Sequence, residues 1–233
     1  MIDTFIITCE HGGNRIPAAY GRLFRELGQQ LESHRGYDPG SLMMARALAA
    51  ALHAPLVSTT VSRLLIDLNR PIGHPQLYSA TTRKVPVALR AEIARLHHQP
   101  YWTQVEDLVQ RSVSRGRRVI HISSHSFTPT LGGVLRRADV GLLYHPGRQG
   151  EAELCARWKA ALARSAPALL VRRNYPYQGK AAGLTAHLRQ RFPPDAYIGI
   201  ELEINQHTVV TAGPLWTALP DMLIESLRVA CAT

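Results

Sequence analysis

Short apolar runs that break off into polar clusters punctuate this chain. Phe5-Ile6-Ile7-Thr8-Cys9 runs into Glu10-His11-Gly12-Gly13. Val119-Ile120-His121-Ile122 runs into Ser123-Ser124-His125-Ser126-Phe127, and Tyr197-Ile198-Gly199-Ile200 into Glu201-Leu202-Glu203. Such runs, bounded by polar or glycine-rich stretches, read as buried strands. Period-two alternation places Tyr197, Gly199, Glu201 and Glu203 on one face of the last strand, and His121, Ser123 and His125 on one face of the middle one. His125 is expected where its strand stops, at 117–124, and a loop begins.

Further strands are predicted at 55–58, 139–144 and 168–172, with a short one within Ser62–Pro71. Helical spacing predicts helices over 20–34, where Leu23, Leu27 and Leu31 share a face, and over 42–52, 151–165, 182–192 and 214–230. A long helical region over 86–113 is interrupted near Pro100. Asp38-Pro39 ahead of the second helix has the form of an N-cap followed by proline. Strands alternating with helices predict an α/β fold: a three-layer sandwich with a mostly parallel central sheet, in one domain over 1–233.

Composition adjusts this picture only slightly. No apolar run approaches the ~18 residues of a membrane span, and the first residues lack the regions of a signal peptide, so a cytoplasmic location is expected. Three cysteines, odd in number and far apart, form neither a CxxC pair nor a disulfide framework. Cys9, close to His11, is a possible soft ligand or simply a core residue. The formal charge of +10 raises nucleic acid as a partner, but the arginines are scattered (Arg22, Arg46, Arg90, Arg111, Arg157) rather than gathered into a stripe. A small anionic substrate is the preferred reading.

The chemistry lies at the strand ends, where open α/β sheets bind ligands. Two histidines and a carboxylate there are the raw material of a metal-assisted hydrolase. A glutamate at the end of an apolar strand has to be paired, bind metal or take up a proton. Arg63 and Arg70 supply cations suited to forking onto a carboxylate. Gly12-Gly13 lets the backbone turn sharply and approach a ligand, or simply lead into a helix.

Six stretches taken in order resemble the N-formylglutamate amidohydrolase family. They are Glu10-His11-Gly12-Gly13-Asn14-Arg15-Ile16-Pro17, Asp38-Pro39-Gly40, Ser62-Arg63-Leu64-Leu65-Ile66-Asp67-Leu68-Asn69-Arg70, His125-Ser126-Phe127-Thr128-Pro129, Asn174-Tyr175-Pro176-Tyr177 and Glu201-Leu202-Glu203-Ile204-Asn205-Gln206. A more distant similarity is to zinc carboxypeptidases, which share the phosphorylase/hydrolase-like fold. The resemblance implies a zinc-dependent amidohydrolase, with another divalent metal possible, acting on an N-acylated acidic amino acid. His11 and His125 match the metal histidines. Carboxypeptidases take a further ligand from a Glu where this chain has Asn14, so Asp38 becomes the candidate, with Asn14 and Glu10 as alternatives. Glu203 is implied as general base, Glu201 being the runner-up. Asn69 and Arg70 are implied to hold the substrate carboxylate, Arg63 to steady the oxyanion, and Asn174 and Tyr177 to border the pocket. A peptide or cell-wall amidase of the carboxypeptidase kind, and a non-catalytic basic nucleic-acid-binding module, remain as alternative readings.

Overall fold

The computed structural model describes residues 2–232; Met1 and Thr233, the ends of the expected domain, lie outside the described residues. The chain opens with β1 (Ile2–Cys9), a 3-10 helix (Ala18–Phe24), a one-turn α1 (Gly28–Leu31), α2 (Ser41–Ala51) and β2 (Leu56–Ser58). Then come α3 (Val87–Ile93), a π-helical turn (Ala94–His98), α4 (Gln99–Val113) and β3 (Arg117–Phe127). A hairpin of β4 (Thr130–Leu131) and β5 (Val134–Leu135) leads to β6 (Val140–Leu143), α5 (Gln149–Ser165) and β7 (Val171–Arg173). The chain finishes with α6 (Leu184–Arg191), β8 (Tyr197–Asn205), α7 (Gln206–Thr211) and α8 (Pro214–Ala232). Among the described residues, no helix is long and apolar enough to cross a membrane.

The main sheet is six-stranded, in the order β2-β1-β3-β8-β6-β7. β2, β1, β3 and β8 run parallel; β6 is antiparallel to β8, and β7 follows β6. The sheet is thus mixed and mostly parallel, with helices on both faces. Alternation along the strands explains the layering. Ile7, Cys9, Ile120, Ile122, Ile200 and Leu202 pack on one face beneath α2, α5 and α8. Ile6, Val119 and Tyr197 point to the other, where Tyr101, Trp102, Val105, Leu184 and Leu188 cover them. On that second face the side chains change character along the strands. They are apolar at the amino ends, but Glu10, Ser123, His125 and Glu203 gather, all buried, at the carboxyl ends.

Two expected elements take other forms. The stretch 20–34 is not one amphipathic helix: it breaks into the 3-10 helix and α1, and Leu23 stays exposed while Tyr20 and Phe24 are buried. Gly21 and Gly28 weaken helix there. Residues 62–71 form turns rather than a strand. Asp67 Oδ1 accepts from Asn69 N at 3.0 Å, and Leu65 N donates to Ser62 O at 2.9 Å. Short polar side chains that bond nearby backbone favour turns in this way. The break near Pro100 is real and takes the form of the π turn before α4. β3 runs on to Phe127, so His125 lies within the strand and not beyond it; pairing with β8 as far as Asn205 carries it there.

One buried ion pair locks the helices on either side of the sheet. Arg189 on α6 donates from Nε to Glu151 on α5 at 2.9 Å, and its remaining nitrogens reach Gly179 O at 2.6 Å and Gly199 O at 2.8 Å. Arg189→Met would leave the Glu151 charge buried without its partner. We expect a loss of about 3–5 kcal/mol, read from the urea midpoint; a midpoint within experimental scatter of the parent would show the pair to be dispensable.

Candidate active site

Backbone hydrogen bonds between three loops build the site. Asp38 N donates to His11 O at 2.9 Å, Arg63 N to Gly36 O at 3.2 Å, and Ser62 N to Arg15 O at 2.9 Å. The two glycines after β1 serve this lacing rather than ligand approach: a Cβ on Gly12 would lie 2.8 Å from Thr59 O, and one on Gly13 2.8 Å from Thr60 O. Asp38 is not the cap of α2. Gly40, in the left-handed region at φ 81°, holds that position without a side-chain cap, and the Asp38 carboxylate turns towards the histidines.

Asp38 Oδ2 lies 3.2 Å from His11 Nδ1 and 3.0 Å from His125 Nδ1. One donor atom from each of the three residues falls within 4.8 Å of the others. The opposite nitrogens of both rings are also held. His11 Nε2 is 2.7 Å from Asp67 Oδ1, and His125 Nε2 is 3.0 Å from Glu10 Oε2. Glu10 also accepts from Ser123 at 2.6 Å and from the Tyr101 hydroxyl on α4 at 3.0 Å. Each imidazole is thus fixed in rotation, with Nδ1 turned to a common carboxylate.

The electrostatics follow from this packing. Burial pushes the Glu10 carboxyl upward, but its bonds to His125 and Ser123 and the His125 charge outweigh that and hold it at about 2. Burial likewise opposes the charged form of His125, yet Asp38 and Glu10 hold its pKa well above the ordinary value. Asp38 and Asp67 are held far below the carboxylate range despite burial, by His11 and Arg63. Glu203 behaves differently. Burial, with Asp38 and Glu201 adding to it, lifts its carboxyl to about 8, and its Oε2 is buried without a partner.

A cavity of about 250 Å³ opens onto this cluster, lined by His11, Asp38, Arg63, Asn69, Arg70, His125, Tyr177, Glu201 and Glu203 among others. Glu203 sits directly abreast of His125 in the β3–β8 ladder. Glu201 also lines the cavity but accepts from Thr185 Oγ1 at 2.6 Å. Arg70 Nη1 is tied to Asn69 O at 3.1 Å and Ala182 O at 2.9 Å, while its Nε has no partner. Arg63 gives Nη2 to Asp67 at 2.8 Å and Nη1 to Asp38 at 3.4 Å. It therefore first neutralises the aspartates, and an oxyanion role is left to whichever of its N–H groups they do not use.

Some expectations are not met. Asn174 does not line the cavity; its Oδ1 accepts from Tyr144 N at 3.0 Å and Gly179 N at 3.1 Å and so shapes the loop that carries Tyr177. Asn14 does not line it either. Cys9 points into the opposite core, and burial pushes its thiol up to about 12. Asp67, given no role from sequence, proves central. The signal was a carboxylate set between Ile66 and Leu68, two side chains that are themselves buried.

Comparison with known proteins places the fold and the family. No curated protein matches the chain. The crystal structure of gene product Atu2144 from Agrobacterium tumefaciens is similar at 30% identity and a TM-score of 0.84, over 98% of this chain and 90% of that one. An N-formylglutamate amidohydrolase structure from Ralstonia eutropha JMP134 has the same fold at 20% identity and a TM-score of 0.73, over 98% of this chain and 93% of that one. The model of the N-formylglutamate amidohydrolase family matches residues 3–210, a span that takes in the main sheet except for Ile2 and every residue of the cluster. The chain belongs to that family of amidohydrolases.

Proposed function

We propose that the protein is a metal-dependent hydrolase that cleaves the amide of an N-acylated acidic amino acid, N-formylglutamate being the first candidate. The observation that carries this reading is the shared approach of two imidazole Nδ1 atoms to Asp38 Oδ2, with Glu203 one strand away and abreast of His125. Around tetrahedral zinc, with bonds of about 2.0–2.1 Å, neighbouring ligand atoms lie roughly 3.3 Å apart. The contacts of 3.2 and 3.0 Å are of that size, and all three donor atoms lie within 4.8 Å of one another. His11, Asp38 and His125 would hold the ion through two nitrogens and one oxygen, a donor set of the kind catalytic zinc sites use. A divalent ion held there supplies Lewis-acid chemistry, polarising a carbonyl and easing the ionisation of water.

The chain's own residues do the rest. Glu203 takes a proton from the attacking water at its carboxylate and passes it to the leaving amide nitrogen as the C–N bond breaks. A pKa lifted to about 8 by burial is drawn down by a nearby cation, towards the range where a group both accepts and returns a proton. Arg70, anchored on two carbonyls, holds the substrate's α-carboxylate, and Asn69 stands beside it. The cavity, at about 250 Å³, lies below the ~300–1,000 Å³ of drug-sized sites. This favours a single amino acid over a peptide or cell-wall fragment.

Metal analysis and hydrolysis of N-formyl-L-glutamate test the reading. We expect bound metal and an activity that chelation removes and zinc restores; full activity in exhaustively chelated protein would refute metal dependence. Glu10→Gln and Asp67→Asn form a finer test. Each loosens one imidazole from behind and should weaken zinc binding about 10–100-fold, read by competition with a chelating dye. Parental affinity in both variants would show that these carboxylates do not support the ligands.

A further inference from the structure

An acidic amino acid brings two carboxylates, and the site as described supplies one arginine that has no carboxylate partner. Arg63 is spent on Asp38 and Asp67. Arg70 is the remaining arginine of the cavity lining. A second carboxylate therefore needs a cation from the rim.

Arg136, between β5 and β6, is not itself in the lining but meets that need through Tyr177, which is. Its backbone is pinned at both ends: its N–H donates to Pro129 O at 2.7 Å, and its carbonyl accepts from Asn205 Nδ2 at 3.0 Å. Its guanidinium lies 5.0 Å from the ring centroid of Tyr177, a cavity-lining residue, and its Nη1 donates to Tyr177 Oη at 3.0 Å. Because that oxygen accepts from arginine, the phenol's own hydrogen is left to donate elsewhere. Among the described residues Arg136 forms no ion pair, unlike Arg63. Its charge reaches the cavity: with Arg35 and Arg63 it adds to burial in holding the cavity-lining His34 below the ordinary histidine pKa. A cation fixed in place, without a counter-charge and coupled to a free hydroxyl donor matches what a carboxylate requires.

We infer that Arg136, together with the Tyr177 hydroxyl, receives the side-chain carboxylate of the substrate and makes the enzyme selective for acidic amino acids. This rests on the proposed function and adds to it the residue that chooses the side chain.

The test compares N-formyl-L-glutamate with N-formyl-L-glutamine, which differ only at the side-chain terminus, on metal-loaded protein. For wild type, Arg136→Met, Arg136→Lys and Tyr177→Phe, the readout is the ratio of kcat/KM values at fixed ionic strength. Arg136→Met should lower the glutamate-over-glutamine ratio roughly ten- to a hundredfold, chiefly through KM for glutamate. Arg136→Lys should recover part of it, and Tyr177→Phe should show a smaller fall. An unchanged ratio in Arg136→Met, or equal losses on both substrates, would overturn the inference and leave Arg136 as a prop for the Tyr177 loop. A difference between wild type and Arg136→Met that vanishes in 0.5 M salt, where the Debye length is about 4–5 Å, would overturn it in favour of long-range steering. If wild type cleaves neither compound, the proposed function falls. Calorimetric binding of glutarate against valerate to wild type and Arg136→Met then still decides this inference, which stands only if glutarate alone loses affinity.

Discussion

Asp38→Asn should cut hydrolysis of N-formyl-L-glutamate by about 10³-fold or more, since it removes from the proposed metal set its only anionic member. Bound zinc should fall far below one equivalent after dialysis. An amide is nearly the same shape as a carboxylate, so the cavity survives, but it is a poor ligand and carries no charge. Both imidazoles lose their common anionic partner at once, because Asp38 Oδ2 serves His11 and His125 together. Arg63 keeps its 2.8 Å bond to Asp67, and the backbone bond from Asp38 N to His11 O is untouched, so the fold should persist. Metal content, rate and circular dichroism measured on one preparation decide the matter. A well-folded variant with full metal and a rate within tenfold of the parent would remove Asp38 from the chemistry.

Glu203→Gln should cost about 10²–10⁴ in kcat, the usual contribution of a positioned acid–base group, and yet stabilise the metal-free protein in alkali. The carboxyl titrates near the ordinary glutamate value of 4.5 when unfolded and at about 8 when folded. Below pH 4.5 both states are protonated and no penalty arises. Between 4.5 and 8 the unfolded chain ionises while the folded one resists, so native stability declines as pH rises. Above 8 the loss is complete and amounts to a few kcal/mol. Glutamine does not titrate and escapes it. Thermal melts from pH 5 to 9.5 in chelator should therefore diverge, the variant melting higher at the alkaline end. Parallel curves would mean that the Glu203 carboxyl is not buried in the way described.

The strands and their faces could be read from the sequence because alternation in a sheet is a local property. Glu201 and Glu203, and Ser123 and His125, share sides for the same reason that their apolar neighbours fill the opposite core. Local pattern failed where burial comes from distant contacts. Leu65 and Ile66 are buried in succession, which no half-buried strand allows, because the turn over 62–70 is clasped between Gly36, Leu77 and α4. The third member of the cluster remained open for a similar reason. Sequence shows that an aspartate lies in a tight loop, but only the backbone bond from that loop to His11 tells which carboxylate arrives. Arg63 was legible as a cation near the site; that two aspartates claim it was not.

His125 and Glu203 are rungs of one ladder between neighbouring strands, whereas Arg136 and Tyr177 hang on segments outside the main sheet. Catalytic spacing and substrate choice thus rest on different segments, joined where Arg136 O accepts from Asn205 at the end of β8. Grafting the hairpin and the tyrosine loop from a relative should exchange the preferred side chain without retuning the bond-breaking step, which makes this scaffold a practical starting point for redesigned deacylases.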